Sequence, residues 1–191
     1  MISDKYRCVF VHIPKTGGTS IEQALGHFDE LERNAQDHRP LYELREAMSE
    51  PDFGAWFKFA FVRNPWARIA SWYKNVITDE LHQQNFGVSP DCTLEQFLTD
   101  HRGIFGMQKQ LHWLRDRDGS IPLDFIGRFE RLLDDWAVVC DRLGQGPIEL
   151  PHLIVAKDKR PYTALYDDTT RKLVAERYAE EIEMFGYRFG D

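Results

Sequence analysis

An α/β fold, with a central parallel sheet flanked by helices, is what this chain predicts, and three observations predict it. Short, almost wholly apolar runs lie at 6–12, 57–62 and 123–129. Runs of that kind are strands buried on both faces. Each gives way to a helix-start signal: a Gly-Gly turn after the first, Asn64-Pro65 after the second, an amphipathic stretch after the third. Strands that alternate with helices pair in parallel, because each crossover returns the chain to the same end of the sheet. The 191 residues suit a single domain, 1–191, with its own core.

The elements follow in order. The first strand, 6–12, centres on Val9, Phe10 and Val11. A short helix is expected over 20–27, then a polar, irregular stretch over 29–39. A second short helix is expected over 41–48, before a break at 49–54. Residues 57–62 form the second strand. Asn64 then stands as an N-cap, with Pro65 at the first helical position, where its missing N–H costs nothing. That helix runs to about residue 80. Helical stretches are expected over 95–100 and 108–114, with a turn at 116–119. The third strand precedes an amphipathic helix over 132–143 that Gly144 closes. A loop over 147–160 leads to one long helix over 167–185 carrying both charge signs. No repeat, low-complexity tract or linker interrupts this order.

Composition narrows the function. Hydrophobic residues make up 42% and aromatics 13%, which marks a packed globular chain rather than a disordered one. A net charge of -7 argues against general nucleic-acid binding, although a local basic pocket can still hold a polyanion. Cys8, Cys92 and Cys140 are odd in number and lack CxxC spacing, so neither a zinc ribbon nor a redox motif is present. They read as buried thiols in a reducing compartment. No apolar run approaches the ~20 residues of a membrane span, and no leader is visible. The expectation is a soluble, cytoplasmic protein.

The chemistry concentrates in VFVHIPKTGGTS, residues 9–20. Ligands of an open parallel sheet bind beyond the carboxyl ends of its strands, and this loop sits at such an end. Gly17 and Gly18 let backbone N–H groups approach an anion, and the following helix turns its positive end to the same spot. Lys15 adds a full charge, and Thr16, Thr19 and Ser20 add hydroxyl donors. The loop is not a Walker A sequence, because its lysine precedes both glycines and no glycine lies four residues upstream. No strand-end acid for Mg²⁺ stands out either.

A second candidate anion pocket follows the second strand, in FVRNPWARIASWY. Arg63 offers a planar fork to a phosphate. Ser71 lies seven residues beyond Asn64, on the same helix face and about 10 Å further along at 1.5 Å per residue. Arg63 and Ser71 together suit one phosphate. Arg68 reads as structural. Trp66, Trp72 and Trp113 read as core at these spacings rather than as stacking platforms.

These two segments resemble the phosphosulfate loop and the 3′-phosphate motif of sulfotransferases that use PAPS, 3′-phosphoadenosine 5′-phosphosulfate. The likeness is to the carbohydrate branch that includes heparan sulfate 2-O-sulfotransferase and its small bacterial relatives. Arg63, Asn64, Pro65, Arg68, Ser71 and Tyr73 all stand where that motif has them. Gln110, Trp113, Leu114, Asp116 and Gly119 fit a looser stretch, and DFIGRFE over 124–130 and Phe185-Gly186-Tyr187 fit later ones. The likeness implies a P-loop-like three-layer fold and metal-independent sulfuryl transfer from PAPS, with PAP as product, to a hydroxyl or amine of a carbohydrate or small-molecule acceptor. It implies that Lys15 bonds the 5′-phosphate and bridging oxygen, and that Arg63 and Ser71 hold the 3′-phosphate. It suggests His38 as the catalytic base, with Glu43, Asp37 and His12 as alternatives. Other sulfotransferases set late basic residues against the 3′-phosphate; here Lys157, Lys159 and Arg160 form such a run, without the family's RKG signature. The competing readings are a nucleotide-dependent kinase and a non-catalytic PAP- or nucleotide-binding module.

Overall fold

The computed structural model describes residues 1–29, 35–151 and 160–191. In chain order its strands and α-helices are β1 (Ile2–Ser3), β2 (Cys8–Val11), α1 (Gly18–Ala24), α2 (Leu41–Glu46), α3 (Glu50–Ala55), β3 (Phe57–Val62), α4 (Pro65–Thr78), α5 (Glu80–Phe86), α6 (Leu94–Asp100), α7 (Gln110–Leu114), β4 (Phe125–Arg128), α8 (Leu132–Arg142), α9 (Asp168–Arg177) and α10 (Ala179–Phe185). The three apolar runs form the parallel part of one sheet, ordered β1-β2-β3-β4. Phe10 pairs with Phe59 and Val62 with Arg128, while β1 runs antiparallel on β2. The fold is α/β, a mostly parallel sheet packed against helices, as the alternation of strands and helices predicts.

The chain divides into two compact units, one of Met1–Val62 with Gln110–Ala156, the other of Arg63–Lys109 with Lys157–Asp191. The first holds the whole sheet. Side chains alternate across a strand, so Cys8, Phe10, Phe59 and Phe61 share one face with Ile21 of α1, Leu25 at its C-cap, and Trp136 and Val139 of α8. The Phe10 and Phe59 rings stack 5.0 Å apart. Fully burying a side chain of this size contributes about 1.5–3 kcal/mol, so this layer fixes the register that carries the loop after β2. Gly127 belongs to the same layer: a Cβ there would sit 2.5 Å from the Phe61 ring.

The second unit is helical. Trp66, Ile69 and Val76 of α4 pack with Phe97 of α6 and Val174 of α9. Asn64 caps α4 as its sequence predicts: its side-chain oxygen accepts from the N–H groups of Trp66 and Ala67, with Pro65 in the first turn. Arg68 is fully buried and donates to the carbonyls of Gly106 at 2.9 Å and Gln108 at 2.6 Å, which makes it structural.

Several boundaries differ from the sequence expectation, each for a local reason. β1 is two residues long, too short to leave a pattern. The break expected at 49–54 is instead α3, Glu50–Ala55, because the Ser49 hydroxyl accepts the Asp52 N–H and Pro51 sits in the first turn. The helix expected over 167–185 is two, α9 and α10, interrupted at Tyr178 (φ -108, ψ 20). Tyr178 is fully buried, and its hydroxyl donates to the Met107 carbonyl at 2.7 Å. Among the described residues no helix is long and apolar enough to cross a membrane. All three cysteines are buried and reduced.

Candidate active site

The loop between β2 and α1 is built on two left-handed residues, Lys15 at φ 71 and Gly17 at φ 82. A left-handed lysine costs roughly 1–2 kcal/mol and persists only where its surroundings fix it. One fixing contact is Thr16, fully buried, whose hydroxyl donates to the Ile13 carbonyl at 2.8 Å. That proton serves the shape of the loop. Gly17 is the N-cap of α1, and no side chain caps the helix. A Cβ on Gly17 would meet Leu132 Cδ2 at 3.1 Å as well as the φ penalty. Gly18 is glycine for a different reason: a Cβ there would lie 2.0 Å from the His12 ring. A left-handed residue leading into right-handed helical ones gathers backbone N–H groups on one side, and the helix dipole adds to their partial charge. Thr19 and Ser20 lie half-buried on the first turn.

His12 leaves β2 into a buried polar cluster. Its Nδ1 lies 3.0 Å from Glu22 Oε2 of α1, a polar contact too poorly aligned for a hydrogen bond. Both residues are buried, Glu22 entirely. Burial, then the nearby amino terminus, push the His12 ring down to about 3, and burial raises the Glu22 carboxyl above its ordinary value. The other Glu22 oxygen, Oε1, accepts the Asp37 N–H at 3.0 Å. His38 comes next. Its Nδ1 is 2.9 Å from the His12 carbonyl, and its ring centroid is 4.1 Å from that of His12. A carbonyl only accepts, so Nδ1 of His38 carries the proton and Nε2 carries the lone pair. Burial chiefly, and the His12 ring next, lower His38 to about 4. The Trp113 indole donates to the His38 carbonyl at 3.1 Å, which anchors the segment from α7.

The other sequence candidates fall as follows. Asp37 binds Arg39 at 2.7 and 2.9 Å. Burial opposes its charge, yet the Arg39 bonds and the amino terminus hold the carboxyl well below its ordinary range. It therefore stays ionised and is a poor proton acceptor. Arg63 follows directly on β3 and is half-buried, as is Ser71 on α4. Arg63, Ser71 and the exposed Arg160 belong to the second unit, while residues 15–20 and His38 belong to the first. Lys157, Lys159 and His152 lie outside the described residues. Trp66, Trp72 and Trp113 are core residues, at 5%, 8% and 0% exposure.

Glu22 is the site residue that sequence reasoning missed. The signal was available: the buried stripe of α1 and its C-cap reads Ile21, Glu22, Leu25, with a carboxylate among its apolar positions. A buried acid needs a partner, and the histidine that ends the preceding strand supplies one.

The sequence model of the Sulfotransferase family matches residues 1–188. Carbohydrate sulfotransferase 14 of Homo sapiens is 27% identical over 164 residues, covering 71% of this chain and 44% of that protein. Carbohydrate sulfotransferase 10 of Gallus gallus is 24% identical over 240 residues, covering all of this chain and 66% of that protein. An uncharacterized protein of Archaeoglobus fulgidus is 27% identical over 135 residues, covering 71% of this chain and 99% of that protein. The chain thus spans about half the length of the human relative. No solved structure matches it.

Proposed function

Because the chain belongs to the sulfotransferase family, a family of enzymes, we propose that it moves a sulfuryl group from PAPS to a hydroxyl or amine of a carbohydrate or small-molecule acceptor. The observation that carries this reading is the start of α1. That helix has no side-chain cap and is entered through left-handed Lys15 and Gly17, so its first N–H groups and the Lys15 charge suit a phosphate. The residues fit the 5′ end of such a donor. The low identities to two carbohydrate sulfotransferases support a carbohydrate acceptor.

In this account PAPS supplies the activated sulfuryl group, and the chain supplies position and charge. Lys15 and the N–H groups at the start of α1 hold the 5′-phosphate and stabilise the charge that grows on the departing oxygen. The hydroxyls of Thr19 and Ser20 add donors on the same turn. Arg63 and Ser71 hold the 3′-phosphate, the group that distinguishes PAP from ADP, and Lys159 and Arg160 add positive charge to it. His38 accepts the acceptor's proton at Nε2, because the His12 carbonyl already holds the proton on Nδ1. Its lowered basicity keeps it neutral and ready at physiological pH. The sulfuryl group carries less negative charge than a phosphoryl group, so positioning and fixed donors do most of the catalysis.

The test is transfer of labelled sulfate from PAPS to a panel of glycans, simple alcohols and amines in the presence of a metal chelator. The expected result is a sulfated product formed one-for-one with PAP. Lys15→Ala should lower turnover about 10²–10³-fold and His38→Ala about 10²–10⁴-fold. Mg²⁺-dependent turnover of ATP with no use of PAPS would contradict the proposal and indicate a kinase.

A further inference from the structure

The mechanism above uses His38 and leaves Glu22 without a part, although Glu22 is fully buried in the same cluster. A carboxyl removed from water is costly unless polar groups surround it. Each of its two oxygens meets a different support of His38. Oε2 lies 3.0 Å from the ring nitrogen of His12, the residue whose carbonyl takes the His38 Nδ1 proton. Oε1 accepts the N–H of Asp37, the residue immediately before His38. The His12 ring has its place only because Gly18 lacks a Cβ. One helix side chain thus meets the end of β2 through a polar contact and holds the chain at residue 37 through a hydrogen bond, two points 25 positions apart in sequence.

We infer that Glu22 is a positioning residue: through His12 and the Asp37 N–H it fixes the tautomer and orientation of His38, so that Nε2 presents the lone pair to the acceptor. It touches neither donor nor acceptor. The logic is that of a carboxylate orienting a catalytic histidine, here relayed through a backbone carbonyl rather than applied to the imidazole itself. The inference rests on the proposed role of His38, but its structural content can be read without any turnover.

The experiment records imidazole ¹⁵N shifts of His38 in the full chain, for the wild type, Glu22→Gln and Glu22→Met, beside calorimetric titration with PAP. Wild type should show a single tautomer with the proton on Nδ1. Glu22→Gln keeps an acceptor for the Asp37 N–H and a polar group beside His12, so it should keep that tautomer. Glu22→Met fills the same volume without either contact and should give a mixed tautomer, with PAP affinity changed less than about threefold. A wild-type His38 carrying its proton on Nε2 would overturn the inference, whether or not the methionine variant folds. So would a folded Glu22→Met with the His38 tautomer unchanged. Failure of wild type to bind PAP is a separate result: it removes the PAPS reading while the tautomer data still decide the clamp.

Discussion

Lys15 joins a charge to a left-handed backbone, and one substitution separates the two. Lys15→Gly removes the charge and relieves about 1–2 kcal/mol of conformational strain, set against about 0.4–1 kcal/mol of extra unfolded-state entropy. The melting temperature should hold or rise while PAPS turnover is lost; thermal denaturation beside the sulfate-transfer assay checks both. The sequence proposes the lysine as an anion ligand, whereas its φ was not legible, because nothing in KTGGTS distinguishes which residue turns left before the glycines. The basicity of His38 makes a second prediction. A base lowered to about 4 must shed its proton below the usual histidine range, so turnover should stay level from about pH 8 to about pH 5 and fall below that. An acid limb centred near 6.5 in the pH–rate profile would show a solvated base. Stability follows with the same sign. An unfolded histidine titrates near 6.5, and folded His38 takes its proton only near 4. The stabilisation is therefore whole above about 6.5 and is lost as pH falls toward about 4. Glu22, raised by burial, acts in the opposite sense, its contribution fading as pH rises through its folded value. Urea midpoints at about pH 7 and pH 5 should differ less in His38→Gln than in wild type, which isolates the histidine.

At the scale of elements, α4 carries the most readable signal in the chain. Asn-Pro after an apolar run specifies a cap and a first turn, and the structure has both. The Asn64 amide also donates to the Arg188 carbonyl at 2.7 Å, a tie across 124 positions that no local pattern contains. Asn64→Ala should therefore cost about 1–2 kcal/mol, the upper part of the range for a cap, read as a lowered urea midpoint with an unchanged slope. Tyr178→Phe tests the other kind of element boundary. Removing the hydroxyl leaves the Met107 carbonyl to the longer bond from Arg177 at 3.3 Å, at a cost of about 0.5–1.5 kcal/mol. The break between α9 and α10 was not legible, because the amphipathic pattern of 167–185 continues across it and the buried partner of Tyr178 lies far away in sequence. α3 was legible in hindsight: Ser49 with Asp52 three residues on is a capping arrangement, and the Pro51 that reads as a breaker is also a first-turn residue. The buried strands were legible almost to the residue where both faces are covered, as in β3, and were overestimated at their flanks in β2 and β4.

At the scale of the whole molecule, the alternation of strands and helices set the fold class, and the family model covers nearly the full chain. The division into a sheet-bearing unit and a helical unit was not legible, because the chain passes between the two three times, after residues 62, 109 and 156, rather than once. The proposed ligands divide in the same way. The 5′ set, with Lys15, lies in the sheet-bearing unit, and the 3′ set, with Arg63 and Ser71, lies in the helical one. The central claim is that this chain recognises a nucleotide with two separate phosphate positions, and calorimetry without metal tests it most directly by comparing PAP, ADP and adenosine 5′-phosphate. The account predicts that wild type prefers PAP to ADP by at least about 10-fold, a difference of ~1.4 kcal/mol, and that Arg63→Ala loses this preference while still binding adenosine 5′-phosphate. Equal or tighter binding of ADP by wild type, or equal PAP affinity in Arg63→Ala, would contradict it.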